Sequence, residues 1–163
     1  LRYFNVAGCD LEGRIGQSTS KATLLTKLAC EAAVGKRDRI FIFGTDYATP
    51  DGTGVRDYIH VEDLADAHLK AVDYLRSGGE STTLNCGYGH GYSVKEVLRM
   101  VEQVSGQPLP IEEGPRRAGD PPTLVAAADR VRDTLGWTPN HDSLETIVKT
   151  SLAWERHLLE SGQ

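Results

Sequence analysis

Residues 54–68 read GVRDYIHVEDLADAH and concentrate groups able to do chemistry: Arg56, Tyr58, His60 and His68, with carboxylates at Asp57, Glu62, Asp63 and Asp66. Metal ligation, proton transfer and anion capture all draw on such a mixture. For a metal, His60 with Asp57 and Asp63 is poorly disposed, because alternation along a strand turns Asp57 away from Tyr58 and His60. His60, Asp63 and Asp66 are better spaced, yet both aspartates read as helix-start, solvent-facing carboxylates. No full ligand set is reached, so no metal is expected.

Arg56 follows three loop glycines, Gly44, Gly52 and Gly54, and stands at the start of an extended run. A guanidinium held there offers a planar fork of donors suited to phosphate. A second basic knot, Pro115-Arg116-Arg117, is closed by Asp120. Arginine for phosphate with aspartate for vicinal hydroxyls is a common way to hold a nucleotide or sugar phosphate. Pairing of Arg56 with Asp57 or Asp63, and a solvated surface loop at the second knot, account for these residues equally well. The glycine loop GYGHG at 87–91 follows a strand and opens a helix, as a dinucleotide fingerprint does. Its third glycine is due at position 92, which is Tyr92, so a tight strand-to-helix turn is the better reading. There is no GxSxG elbow and no phosphate-binding Walker loop.

The elements that must position these groups alternate between strand and helix, which makes the class α/β. Strands are expected over 1–6, 39–43, 55–60, 82–86 and 109–113. Helices are expected over 21–34, 62–76 and 93–105, over a segment capped by Asp129, and over a final helix capped by Asp142 with Glu145. Ser93 and Glu96 form a capping box, and Gly106 stops that helix.

The 163 residues suffice for one domain, with 39% hydrophobic and 25% charged side chains. Eighteen basic against 23 acidic residues give a net charge of −5, which argues against a nucleic-acid or anionic-membrane binder. No apolar run approaches membrane length. Cys9, Cys30 and Cys86 are odd in number and form no CxxC pair, so a reducing cytoplasm is expected. The chain opens on LRYFNVAG with no initiator Met, inside what reads as a buried strand, and so reads as the remainder of a longer one.

Together, LRYFNVAG, IFGTDYATPDGTGVRDYIHVEDLADAH, TLNCGYGHGYSVKEV, PRRAGDPPTLVA and LGWTP strongly resemble the C-terminal half of UDP-galactose 4-epimerases, within the extended short-chain dehydrogenase/reductases. The likeness runs from Leu1 to about Trp154. It implies the substrate-binding part of such an enzyme: a partial Rossmann sheet with a small α/β substrate domain. Residues 1–163 would form one domain-sized fragment, its strands 1–6 and 82–86 belonging to the sheet of a missing N-terminal half. By the same resemblance Tyr3 lies beside the nicotinamide of NAD and Asn5 on the sugar nucleotide. Phe41, Phe43 and Val94 meet uracil, Arg56 and Arg117 hold the pyrophosphate, Tyr58 lines the same pocket, and Asp120 accepts from ribose hydroxyls.

The chain departs from the family at Thr23-Leu24-Leu25, where members usually carry Asn or His. Leu124 falls on the sugar side of the pocket, where residue size varies. The family's chemistry also needs a glycine-rich NAD loop and a Tyr-x-x-x-Lys pair. Four residues after each tyrosine stand Ala7, Asp51, Glu62, Gly78, Tyr92 and Glu96, never Lys. No catalytic residue is therefore assigned in this chain. The resemblance implies an NAD-dependent interconversion of UDP-glucose and UDP-galactose by a cytoplasmic homodimer, with this chain binding UDP-hexose and NAD bound mainly elsewhere. A related nucleotide-sugar dehydratase or decarboxylase, and a non-catalytic nucleotide-sugar binding module, are the alternatives.

Overall fold

The computed structural model describes residues 1–19 and 21–162. The first strand, β1 (Asn5–Ala7), runs parallel to β4 (Tyr58–His60), with Asn5 opposite Tyr58 and Ala7 opposite His60. Upstream, Arg2 bridges Asn85: Arg2 N donates to Leu84 O and Cys86 N to Arg2 O, each at 2.7 Å. Both expected strands, 1–6 and 82–86, are therefore cut short. A ladder needs successive pairs, and here a single pair meets.

β2 (Ile40–Phe43) pairs parallel with β6 (Ile111–Gly114). β3 (Val55–Arg56) lies between β5 (Tyr92–Ser93), antiparallel, and β7 (Thr123–Leu124), parallel. The extended run expected over 55–60 is thus split at Asp57 between two sheets.

Helices α1 (Leu25–Ala33), α3 (Val94–Ser105) and α5 (Leu144–Glu160) pack on one another, while α2 (Val61–Arg76) packs on α4 (Asp129–Leu135). Val97, Leu98, Val101, Ile147, Leu152 and Trp137 are fully buried at the centre. Each such apolar side chain contributes about 1.5–3 kcal/mol on leaving water. The loop after β1 is tied to α5, because Gly8 N donates to Ser151 Oγ (3.0 Å) and Cys9 N to Thr150 Oγ1 (3.2 Å).

The helix ends follow local rules with instructive exceptions. Ser93 Oγ accepts from Glu96 N at 3.0 Å while Ser93 N donates to Glu96 Oε2 at 2.7 Å, the expected capping box, and Gly106 takes φ 74°. α1 begins later than the apolar periodicity suggests, since Leu24 is extended (ψ 129°) and no side chain caps it. Asp129 does not cap α4. Ala128 precedes it already in helical conformation, which leaves Asp129 inside the first turn. Ser143, not Asp142, caps α5 by accepting from Thr146 N, and Asp142 is drawn off to His90 Nε2 at 2.7 Å.

Two buried aspartates bind these pieces together. Asp57 is 1% exposed, and its carboxylate accepts from Tyr88 N (3.0 Å), Gly89 N (3.0 Å) and Ala126 N (3.2 Å). Gly87 permits this approach, since a Cβ there would lie 2.6 Å from Asp57 Oδ2. The glycine loop therefore closes around a carboxylate of its own chain.

Asp63 was expected to face solvent and does not. It is 1% exposed and accepts from Asn140 N (2.8 Å), His141 N (2.9 Å) and the Tyr88 hydroxyl (2.6 Å). The helix-start position was legible, but the loop that folds over it comes from more than seventy residues downstream. Burial first, and then the bond to Asp63, push the Tyr88 hydroxyl pKa well above the phenolic range. His60 is equally enclosed: Nδ1 accepts from Glu62 N (3.2 Å) and Nε2 meets Thr150 Oγ1 (3.2 Å). Burial, aided by neighbouring His141, lowers its pKa below the ordinary 6.5.

Replacing Asp57 with Ala strands three backbone N–H donors, those of Tyr88 and Ala126 buried, so urea unfolding should show a loss of about 3–5 kcal/mol. A loss under about 1 kcal/mol would contradict the clamp. His60 sets a pH dependence. Above about 6.5 the folded and unfolded chains are alike at this site; below it the unfolded chain takes a proton that buried His60 refuses. Stability is therefore lost as pH falls from that value through the folded pKa. The urea midpoint should drop between about pH 7.5 and 5.5, and drop less in His60→Gln.

Candidate nucleotide site

A cavity of about 420 Å³ opens between α1, β2, β3 and the β6–β7 loop. Alternation on β2 buries Ile40 and Ile42 and turns Phe41 and Phe43 to the other face, where both line the cavity. Their ring centroids lie 5.8 Å apart. The Arg117 guanidinium stands 4.0 Å over the Phe43 ring, a cation–π contact that sets a flat cation against a flat aromatic wall.

Arg56 reaches the cavity from β3 with its side chain only 14% exposed. Its guanidinium rests on Gly54, donates to Val55 O at 2.8 Å and pairs with Asp120 Oδ1 at 2.6 Å. The expected alternatives for Arg56, pairs with Asp57 or Asp63, do not form: three backbone N–H groups engage Asp57, and two backbone N–H groups with the Tyr88 hydroxyl engage Asp63. Tyr58 is buried at the next strand, and burial raises its hydroxyl pKa well above the phenolic range, with Arg56 opposing. It can donate or accept a hydrogen bond as a neutral phenol, but it is no base near neutral pH.

Asn5, whose side-chain amide donates to Asp57 O at 3.3 Å, and Val94, whose N–H donates to Gly54 O at 3.0 Å, complete the set. Asn5, Phe41, Phe43, Arg56, Tyr58, Val94, Arg117 and Asp120 thus share one cavity. Leu124 lies beside Arg56 in the sheet, 38% exposed and outside the lining. Tyr3 is 46% exposed, its ring edge-on to His68 at 5.7 Å, also outside it.

Sequence reasoning passed over Arg37, Arg39 and Tyr47, which also line the cavity. Arg37 pairs with Glu31 at 2.8 Å and Arg39 with Glu112 at 3.0 Å. The Tyr47 hydroxyl is buried with no hydrogen-bond partner among the described residues. The run RDRIFIF did carry a signal, two arginines leading into an aromatic strand. Among the described residues, four arginines and one carboxylate, Asp120, line the cavity, whereas the whole chain carries −5. The arrangement suits a ligand with a planar ring at one end and oxyanions at the other.

Residues 1–87 match the NAD dependent epimerase/dehydratase family. The chain is 60% identical over 161 residues to a UDP-glucose 4-epimerase of Azospirillum brasilense, an alignment spanning 99% of this chain and 46% of that protein. The crystal structure of a UDP-glucose-4-epimerase from Stenotrophomonas maltophila, with bound NAD and formylated UDP-arabinopyranose, superposes with a TM-score of 0.93 at 38% identity, covering 98% of this chain and 48% of that one. The Bifidobacterium longum UDP-glucose 4-epimerase in complex with NAD+ and UDP gives 0.87 at 38% identity, covering 96% and 46%. The chain spans about half the length of the curated relatives it matches.

Proposed function

The chain belongs to the NAD dependent epimerase/dehydratase family, and from that premise we propose that it forms the nucleotide-sugar-binding part of a UDP-glucose 4-epimerase. One observation carries the reading: guanidinium groups, a carboxylate and two phenylalanines converge on a single cavity. In this reading Phe41 and Phe43 take the uracil face. Arg56 and Arg117 neutralise the diphosphate, Asp120 meets the ribose, and Asn5 and Tyr58 hydrogen-bond the sugar nucleotide. Relatives that carry UDP or a UDP-sugar in their crystals support it.

Binding energy concentrated on UDP leaves the hexose loosely held. An enzyme that must present both faces of one sugar carbon gains from that division. NAD supplies reversible hydride transfer when bound, but the donors this chain offers it do not amount to a site. Tyr3 is half exposed, and no Tyr-x-x-x-Lys pair exists. In the proposal those groups come from the other half of the complete enzyme, whose Rossmann sheet strands 1–6 and 82–86 join. The parallel course of Leu1–Ala7 beside Asn85 and β4 supports this, as do Leu69 and Leu75, exposed on α2 by 66% and 54%. Three unpaired, buried cysteines fit a cytoplasmic protein, and among the described residues no helix is long and apolar enough to cross a membrane.

In the complete protein, Arg56→Ala should weaken UDP binding by about 2–4 kcal/mol in calorimetry, because a charge-assisted phosphate contact is lost. An unchanged dissociation constant would sink the assignment. The 163-residue chain alone should not convert UDP-galactose to UDP-glucose. Turnover above the uncatalysed background would remove the need for a second half.

A further inference from the structure

We infer that Asp120 is a positioning residue for Arg56, fixing the guanidinium so that one edge faces a ligand diphosphate; this rests on the nucleotide-sugar reading above. Arginine carries five N–H donors in one rigid plane. Here the chain itself engages one end of that plane. Nη1 donates to Val55 O at 2.8 Å and, at its limit, to Pro122 O at 3.5 Å, while Nη2 donates to Asp120 Oδ1 at 2.6 Å. Asp120 is engaged by Nη2 alone. Nε makes no hydrogen bond among the described residues, so Nε–H, on the edge it shares with Nη2, is not taken by the chain's described groups. Two parallel N–H groups on that edge match two oxygens of a phosphate.

The plane is also braced from below. A Cβ on Gly54 would sit 3.3 Å from Nη1 and 3.6 Å from Cζ, so the guanidinium lies flat on a glycine. Asp120 is 38% exposed where Arg56 is 14% exposed, which puts the carboxylate on the solvent side of the pair, as an orienting strut outside the core. An arginine side chain otherwise spends considerable rotamer entropy when it is fixed on a ligand, and a partner that fixes it beforehand removes that cost from binding. This role differs from acceptance of ribose hydroxyls, and the two make opposite claims about a ligand that has no ribose.

The experiment uses the complete protein and two probes, UDP and inorganic pyrophosphate, titrated by calorimetry. Asp120→Ala should weaken pyrophosphate about tenfold, and Asp120→Asn, which keeps an acceptor oxygen, should weaken it less. In an Arg56→Ala background, removing Asp120 should change pyrophosphate affinity no further, since there is nothing left to orient. Unchanged pyrophosphate affinity in Asp120→Ala, with UDP alone weakened, makes Asp120 a ribose ligand only and overturns the inference. Tighter pyrophosphate binding overturns it too, because it makes Asp120 a competitor for Arg56. If the wild-type protein binds neither probe, the nucleotide reading itself fails and the inference falls with it.

Discussion

Asp57 sits where the chain passes from one sheet into another, and its carboxylate must find donors there or be left charged in the interior. It finds three backbone N–H groups from two separate loops, those of Tyr88 and Gly89 in one and of Ala126 after β7 in the other. Its own carbonyl meanwhile receives the Asn5 side chain from β1. Arg56 on one flank and Tyr58 on the other are therefore delivered to the cavity by a residue that never enters it. Compensating a buried carboxylate takes several donors at once, so the loops that supply them lose their freedom to move independently. The placement of Arg56 in the cavity follows from that constraint.

Much of this was legible in the sequence where a property is local. The capping box at Ser93, the alternation of β2 and the glycine-flanked Arg56 each depend on residues within a few positions of one another. Asp63 was not legible, because its donors arrive from Asn140 and His141 and nothing near Glu62 announces them. The caps at Asp129 and Asp142 failed for a related reason. A capping side chain also needs extended backbone and no better partner, and here Ala128 was already helical and His90 had claimed Asp142. Arg37 and Arg39 were overlooked because an arginine's reach hides which cavity it lines. The resemblance to nucleotide-sugar epimerases gathered residues that residue chemistry alone left divided between ligand contacts and surface ion pairs.

The cavity also shows how an acidic chain can build a cationic site. Asp57 and Asp63 are tied up by donors of other loops and Glu31 and Glu112 pair with Arg37 and Arg39 from outside the lining, while Arg37, Arg39, Arg56 and Arg117 converge where Asp120 is the one carboxylate among the lining residues described. The neighbouring phenol, Tyr58, is held neutral by burial, so it adds a polar contact without adding charge.

The ties from the loop after β1 to the last helix bear on the order of assembly. Gly8 and Cys9 bond to Ser151 and Thr150 across separations of 143 and 141 residues. Closing a loop of that size costs about 4 kcal/mol, only about 0.6 kcal/mol more than one half as long, since the entropic cost grows with the logarithm of length. It does delay the event in time, because folding rates fall as contacts become more distant in sequence. On the ribosome, β1 can meet β4 early, but the ties from Gly8 and Cys9 cannot form until α5 has left the exit tunnel, so the two sides of that strand are secured at different times.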